Sequence, residues 1–88
     1  MPDWYVYILK SIAYEYTYIG STNNLQRRLQ QHNGGEVRST RPYKPFTVIA
    51  FVAVTTEQKA RKLEKYFKTG SGNAVLKKRI LINSTAPR

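Results

Sequence analysis

The chain has no cysteine, so neither a disulfide framework nor a thiolate-bound zinc is open to it. It is also poor in acid, with Asp3, Glu15, Glu36, Glu57 and Glu64 as its only carboxylate side chains. Hydrolases that clamp a phosphodiester between two metal ions need several carboxylates converging on those ions, and five scattered acids argue against such a cluster. Histidine is scarcer still: His32 stands alone, which speaks against the two-histidine acid–base chemistry of small metal-independent ribonucleases. Long apolar runs are missing too. The longest, Val48 to Val54, falls far short of the ~20 residues that span a bilayer. No basic-then-apolar signal pattern opens the sequence, so a soluble cytoplasmic or nucleoid-associated protein with no membrane partner is expected.

What the chain holds instead is positive charge. Fifteen Lys and Arg against five acids give a net charge of +10 over 88 residues, a field that attracts polyanions. Nucleic acid is the commonest partner of so basic a domain, although anionic membrane surfaces and acidic proteins fit the charge as well. Composition alone does not separate a nuclease from a binding module. The length allows one small domain, which buries only about 60–65% of its unfolded surface and so depends on a single core.

Hydrophobic periodicity orders the chain as β-β-α-β-α-α in one α+β domain over residues 1–82, with 83–88 as a frayed tail. Trp4 to Leu9 is rich in aromatic and β-branched residues and reads as a strand. Tyr14 to Gly20 alternates Tyr14, Tyr16 and Tyr18 on one side, which predicts the second arm of an antiparallel hairpin. Thr22 or Asn23 can cap a helix running roughly from Asn24 to His32, stopped at Asn33-Gly34-Gly35. The segment from Glu36 to Pro45, rich in Gly, Pro and basic residues, is too long for a simple turn. Phe46 to Val54 has the pattern of a central strand covered on both faces. Thr55 with Gln58 forms a candidate capping box for a helix ending at Gly70. The break at Gly70-Ser71-Gly72 then introduces a short last helix in which Leu76 and Ile80 share a face.

Glu64 is singular among the acids because it lies on the apolar side of its helix with Ala60, Leu63 and Phe67. Burying an unpaired charge costs several kcal/mol, so the carboxylate needs a partner, which can be a lysine or arginine as readily as a metal ion. Arg28 and His32 are one turn apart and share a face with Leu25 and Leu29, which directs them at the sheet. A structural reading is available for each: a snorkelling Arg28, and His32 as a cation at a helix C-terminus. Arg27 points away from that pair, toward solvent or a distant phosphate. The seven tyrosines fit sheet packing, and a catalytic phenol among them would need nearby positive charge to ionise.

Taken together, these spacings resemble the GIY-YIG nuclease family. Tyr5-Val6-Tyr7 stands where that family has Gly-Ile-Tyr, with Tyr5 departing from the glycine, and eleven residues after Tyr7 an intact Tyr18-Ile19-Gly20 follows. Arg28 and His32 match its Arg-x-x-x-His helix, and Glu64 stands at its metal-binding glutamate. The chain is similar to compact, stand-alone members and to the catalytic domain of excision-repair nuclease subunits. The resemblance implies a small three-stranded central antiparallel sheet flanked by helices, with the site on one face of the sheet. It further implies a metal-dependent endonuclease acting on DNA in repair or recombination, with a repair protein as a candidate partner. Glu64 would hold one Mg²⁺ or Mn²⁺, Tyr7 or Tyr18 would take the proton of the attacking water, Arg28 would neutralise the phosphate and His32 would orient or relay protons. Arg27, Arg38, Arg41 and Lys44 would meet the nucleic-acid backbone. The alternative is a non-catalytic basic nucleic-acid-binding module that keeps the fold. An asparagine contact of the family has candidates in Asn73 and Asn83, neither at a matching spacing.

Overall fold

The computed structural model describes residues 3–81. Strands β1 (Trp4–Ser11) and β2 (Thr17–Thr22) lead to helix α1 (Leu25–Asn33), a 3-10 turn at Arg41–Tyr43 and strand β3 (Phe46–Val54). Helices α2 (Glu57–Phe67) and α3 (Gly70–Val75) follow, and α3 runs into a π-helical turn at Leu76–Ile80. The strands form an antiparallel sheet in the order β2-β1-β3. The proposed tail at 83–88, and Asn83 with it, lie outside the described residues.

Alternation along β1 divides the core in two. Val6 and Ile8 point to one side, where Ala60, Leu63 and Phe67 of α2 meet Leu76 and Leu81. Tyr7 and Leu9 point to the other, where Leu25 and Leu29 of α1 pack with Phe46, Tyr18 and Tyr43. All four β1 side chains are at most 1% exposed, so β1 is the central strand. The apolar run of β3 therefore signals something different from a central position. The strand is an edge strand packed on the α2 side through Ile49, Ala50, Val52 and Val54, whereas on the α1 side only its start, Phe46 and Val48, is covered; Phe51 there is 53% exposed and lies edge-on against Tyr5. Its register slips between Ile8 and Leu9 of β1, which skips Ile49 as an extra residue of a β-bulge.

The remaining differences from the sequence expectation have local causes. The second strand starts at Thr17 rather than Tyr14, because Ser11 Oγ accepts hydrogen bonds from the Ala13 and Tyr14 N–H groups and closes a turn there. Tyr16 instead stacks on Tyr43, with ring centroids 3.9 Å apart. The cap of α1 is Asn24, not Thr22 or Asn23: its Oδ1 accepts from the Arg27 N–H at 3.0 Å. Thr22 Oγ1 accepts from the Asn24 N–H one step earlier. Thr56 rather than Thr55 caps α2, and α2 ends at Phe67 instead of Gly70. Thr69 caps α3, so Gly70 and Gly72 lie within that helix. Gly72 is required there, since a Cβ would collide with the Tyr66 carbonyl and force α3 off the end of α2. Of the two glycines after α1, only Gly35 takes the left-handed conformation, with φ 78°.

Candidate active site

Four of the five residues singled out for chemistry meet at one point. Tyr7 comes from the middle of β1 and is 1% exposed. Its side chain crosses β2 above Gly20, its register partner, and this crossing explains the glycine of Tyr18-Ile19-Gly20. A Cβ on Gly20 would stand 2.5 Å from the Tyr7 hydroxyl oxygen and 2.9 Å from the Tyr18 ring, closer than carbon atoms can approach. From the opposite side α1 presents Arg28 and His32. Its C-terminal end is fixed by Asn33, whose side chain accepts from the Phe46 N–H at 2.6 Å and donates to the Phe46 carbonyl at 3.2 Å.

The Tyr7 hydroxyl lies 2.9 Å from His32 Nε2 and accepts a 3.4 Å hydrogen bond from Arg28 Nε. His32 Nδ1 lies 2.8 Å from Thr40 Oγ1, and that hydroxyl donates in turn to the Val37 carbonyl at 3.3 Å. With the Thr40 hydroxyl donating to that carbonyl, its oxygen is left to accept from His32. The network thus assigns the proton of neutral His32 to Nδ1 and leaves Nε2 to accept from the Tyr7 O–H. Arg28 Nη1 donates to Gln31 Oε1 at 2.9 Å, which holds the guanidinium against the phenol. Tyr18 flanks the group, its ring centroid 5.0 Å from that of His32 and 6.2 Å from that of Tyr7.

Burial sets the protonation of both central groups. It pushes the Tyr7 phenol up to about 12, an effect that the Arg28 hydrogen bond only partly offsets. It pulls His32 down to about 4, with the like charge of Arg28 adding to the effect. His32 is therefore neutral at physiological pH and is not the helix-terminal cation that its position in the sequence allows. Because the folded chain holds this proton less tightly than the unfolded one, the contribution to stability is complete above about pH 6.5 and is lost as pH falls toward 4. Chemical denaturation between pH 7.5 and 4.5 is expected to show a loss of about 2–3 kcal/mol. A His32→Gln variant should lack that component.

Glu64 reaches the site from the other side of the sheet. Its Oε1 accepts from Ser21 Oγ at 2.7 Å and its Oε2 from Lys68 Nζ at 2.8 Å. Because α1 and α2 cover opposite faces, the five residues straddle edge strand β2 instead of sharing one face of the sheet, as the resemblance had implied. The expected partner for the Glu64 charge is present in Lys68. Among the described residues no three His, Cys, Asp or Glu side chains gather around one point. The donor set around Glu64, a carboxylate with a neighbouring hydroxyl, is hard oxygen, which fits one Mg²⁺ or Mn²⁺ that takes most of its ligands from water and substrate.

Two open clefts flank the Ser21–Glu64 contact. One, of about 420 Å³, is lined by Trp4, Ser21, Asn23, Arg27, Arg28 and Arg61 among others. The other, of about 470 Å³, lies along α2 and is lined by Arg61, Lys62, Glu64, Lys65 and Lys68. Arg27 is exposed at the first. Arg38, Arg41 and Lys44 are exposed on the loop after α1 and line neither cleft; Arg41 Nε donates to the Gly35 carbonyl at 2.7 Å. Sequence reasoning missed Thr40, Gln31, Ser21 and Lys68. Only Lys68 carried a signal, as the residue one helical turn beyond Glu64.

Comparison with known proteins places the fold and the motifs in a family. The family model described as the GIY-YIG catalytic domain matches residues 3–79. The UPF0213 protein CPE1444 of Clostridium perfringens (strain 13 / Type A) is 37% identical over 73 residues, covering 82% of this chain and 77% of that protein. Uncharacterized protein L300 of Acanthamoeba polyphaga mimivirus is 54% identical over 33 residues, which are 38% of this chain and only 20% of the viral protein. The solution NMR structure of the UPF0213 protein BH0048 from Bacillus halodurans superposes with a TM-score of 0.50 at 28% identity, covering 93% of each chain. Motifs, fold and family model coincide over nearly the whole sequence, and the chain belongs to the GIY-YIG family.

Proposed function

We propose that the protein is a metal-dependent endonuclease that hydrolyses DNA phosphodiester bonds, acting in DNA repair or recombination. The observation that carries this reading is the hydrogen-bonded run from Arg28 through Tyr7 and His32 to Thr40, set beside Glu64. Such a run can remove a proton from water without a free phenolate. Tyr7, pushed up to about 12, is protonated at neutral pH. It therefore acts as a relay: its hydroxyl oxygen takes a proton from the attacking water while its own proton passes to His32 Nε2.

His32 accepts that proton poorly in the free protein, partly because Arg28 is close. A substrate phosphate paired with Arg28 offsets this charge and raises the proton affinity of the imidazole at the moment it is needed. Arg28 also stabilises the charge that builds on the pentacovalent phosphorus. Thr40 holds His32 in the tautomer that leaves Nε2 open. Glu64 would hold a single Mg²⁺ or Mn²⁺, which when bound supplies neutralisation of the phosphate and of the leaving 3′-oxygen. Arg27 in the cleft, and Arg38, Arg41 and Lys44 on the loop, are assigned to the flanking backbone phosphates.

The test is a cleavage assay with Mg²⁺ or Mn²⁺ on supercoiled plasmid, branched DNA and RNA, with Arg28→Ala alongside the wild type. Wild-type protein is expected to cut DNA, and Arg28→Ala to cut about 10²- to 10³-fold more slowly. Tight binding to all three substrates with no cleavage of any would identify the chain as a non-catalytic nucleic-acid-binding module.

A further inference from the structure

Both oxygens of Glu64 are already engaged, one by Ser21 and one by the ammonium of Lys68. That ammonium also stands 5.9 Å from the centroid of the Tyr18 ring, within cation–π range. Two groups of the site thus hold Lys68 over it, although the lysine side chain is 50% exposed. The pair faces the cleft along α2, in which every lining residue other than Glu64 is a cation. Exposed i,i+4 ion pairs are weak and exchange their partners readily.

These facts set conditions on a divalent ion. With one protein carboxylate to hold it, an ion would be bound weakly by the protein alone, and the ammonium of Lys68 already occupies one of the Glu64 oxygens. A phosphodiester removes both obstacles, because it brings oxygens for the ion and an alternative anion for Lys68. We propose that Lys68 is a resident counter-cation of Glu64 that opposes divalent-ion binding in the free protein and transfers to a substrate phosphate when nucleic acid arrives. Metal and nucleic acid then bind as a coupled pair, each strengthening the other by the same factor. The proposal rests on the nuclease reading in taking Glu64 as the metal ligand, and assigns to Lys68 a role that this reading leaves out.

The experiment measures Mn²⁺ binding to the full chain by the electron paramagnetic resonance of the free ion. It is done with and without a phosphorothioate DNA duplex that resists cleavage, for wild type, Lys68→Met and Glu64→Gln. Lys68→Met keeps the length of the side chain and removes its charge, and Lys68→Gln serves as a second variant; thermal melts confirm that each is folded. Lys68→Met is expected to bind Mn²⁺ about five- to tenfold more tightly than wild type in the absence of DNA. It should also lose a similar factor from the gain in Mn²⁺ affinity that the duplex confers, while binding the duplex more weakly when no metal is present. If neither lysine variant gains Mn²⁺ affinity, while Glu64→Gln loses it, the counter-cation role is overturned and the nuclease reading stands. If Glu64→Gln binds Mn²⁺ as wild type does with the duplex present, both fall.

Discussion

Replacing Glu64 by glutamine is expected to lower DNA cleavage by about 10³-fold while changing the unfolding free energy by no more than about 1 kcal/mol. The two effects separate because the carboxylate has different duties in folding and in chemistry. In the folded chain its partners are one hydroxyl and a half-exposed lysine, and a glutamine carbonyl can still accept from Ser21. In the proposed reaction the negative charge itself would hold a divalent ion, and the amide does not supply it. Cleavage rates and urea midpoints measured on the same preparation check both halves. A large loss of stability would instead make Glu64 a structural residue.

Tyr7→Phe should lower cleavage by a comparable factor, about 10³-fold, for a different reason. The phenyl ring refills the same space between Gly20 and α1, but the proposed proton path from water to His32 would be cut at its middle. Loss of the hydroxyl also leaves His32 Nε2 as a buried acceptor without a donor, at a cost of about 1–3 kcal/mol in stability. Tyr18→Phe provides the contrast, with an expected fall of less than about tenfold, because the hydrogen-bonded run passes through Tyr7 alone. Equal losses from the two variants would refute the assignment of the relay to Tyr7.

The contrast between the two tyrosines shows where sequence reading reaches and where it stops. Periodicity places Tyr7 and Tyr18 on strands and Arg28 and His32 on one helical face, because those inferences use only spacings of two and four residues. It does not rank the phenols. That depends on which one crosses Gly20 to meet His32, a consequence of the Tyr7–Gly20 pairing. Thr40 illustrates the same limit. Nothing in the loop composition marks it, yet it is wholly buried and decides the tautomer of His32 across eight residues of chain.

Element order and the span of β3 were legible for the same reason, since a nearly continuous apolar run with β-branched residues has few alternatives. The position of β3 in the sheet was not. An apolar run of this kind occurs in an edge strand as in a central one, and only pairing distinguishes the two. Helix caps moved by one or two residues because neighbouring Thr and Asn side chains compete for the same N–H groups. Thr22 and Asn24 divide that work at α1. The charge of Glu64 was recognised as needing a partner, and Lys68 is that partner in the free protein. Whether a metal ion replaces it is the point on which structural and catalytic readings of the site diverge.

The most direct measurement is the rate at which purified protein nicks supercoiled plasmid as Mn²⁺ or Mg²⁺ is titrated in after treatment with a chelator. A single metal-dependent site built on Tyr7, Arg28, His32 and Glu64 predicts no nicking without added ion and a saturating rise as ion is restored. Nicking that persists undiminished in chelator, or none at any metal concentration, would contradict it.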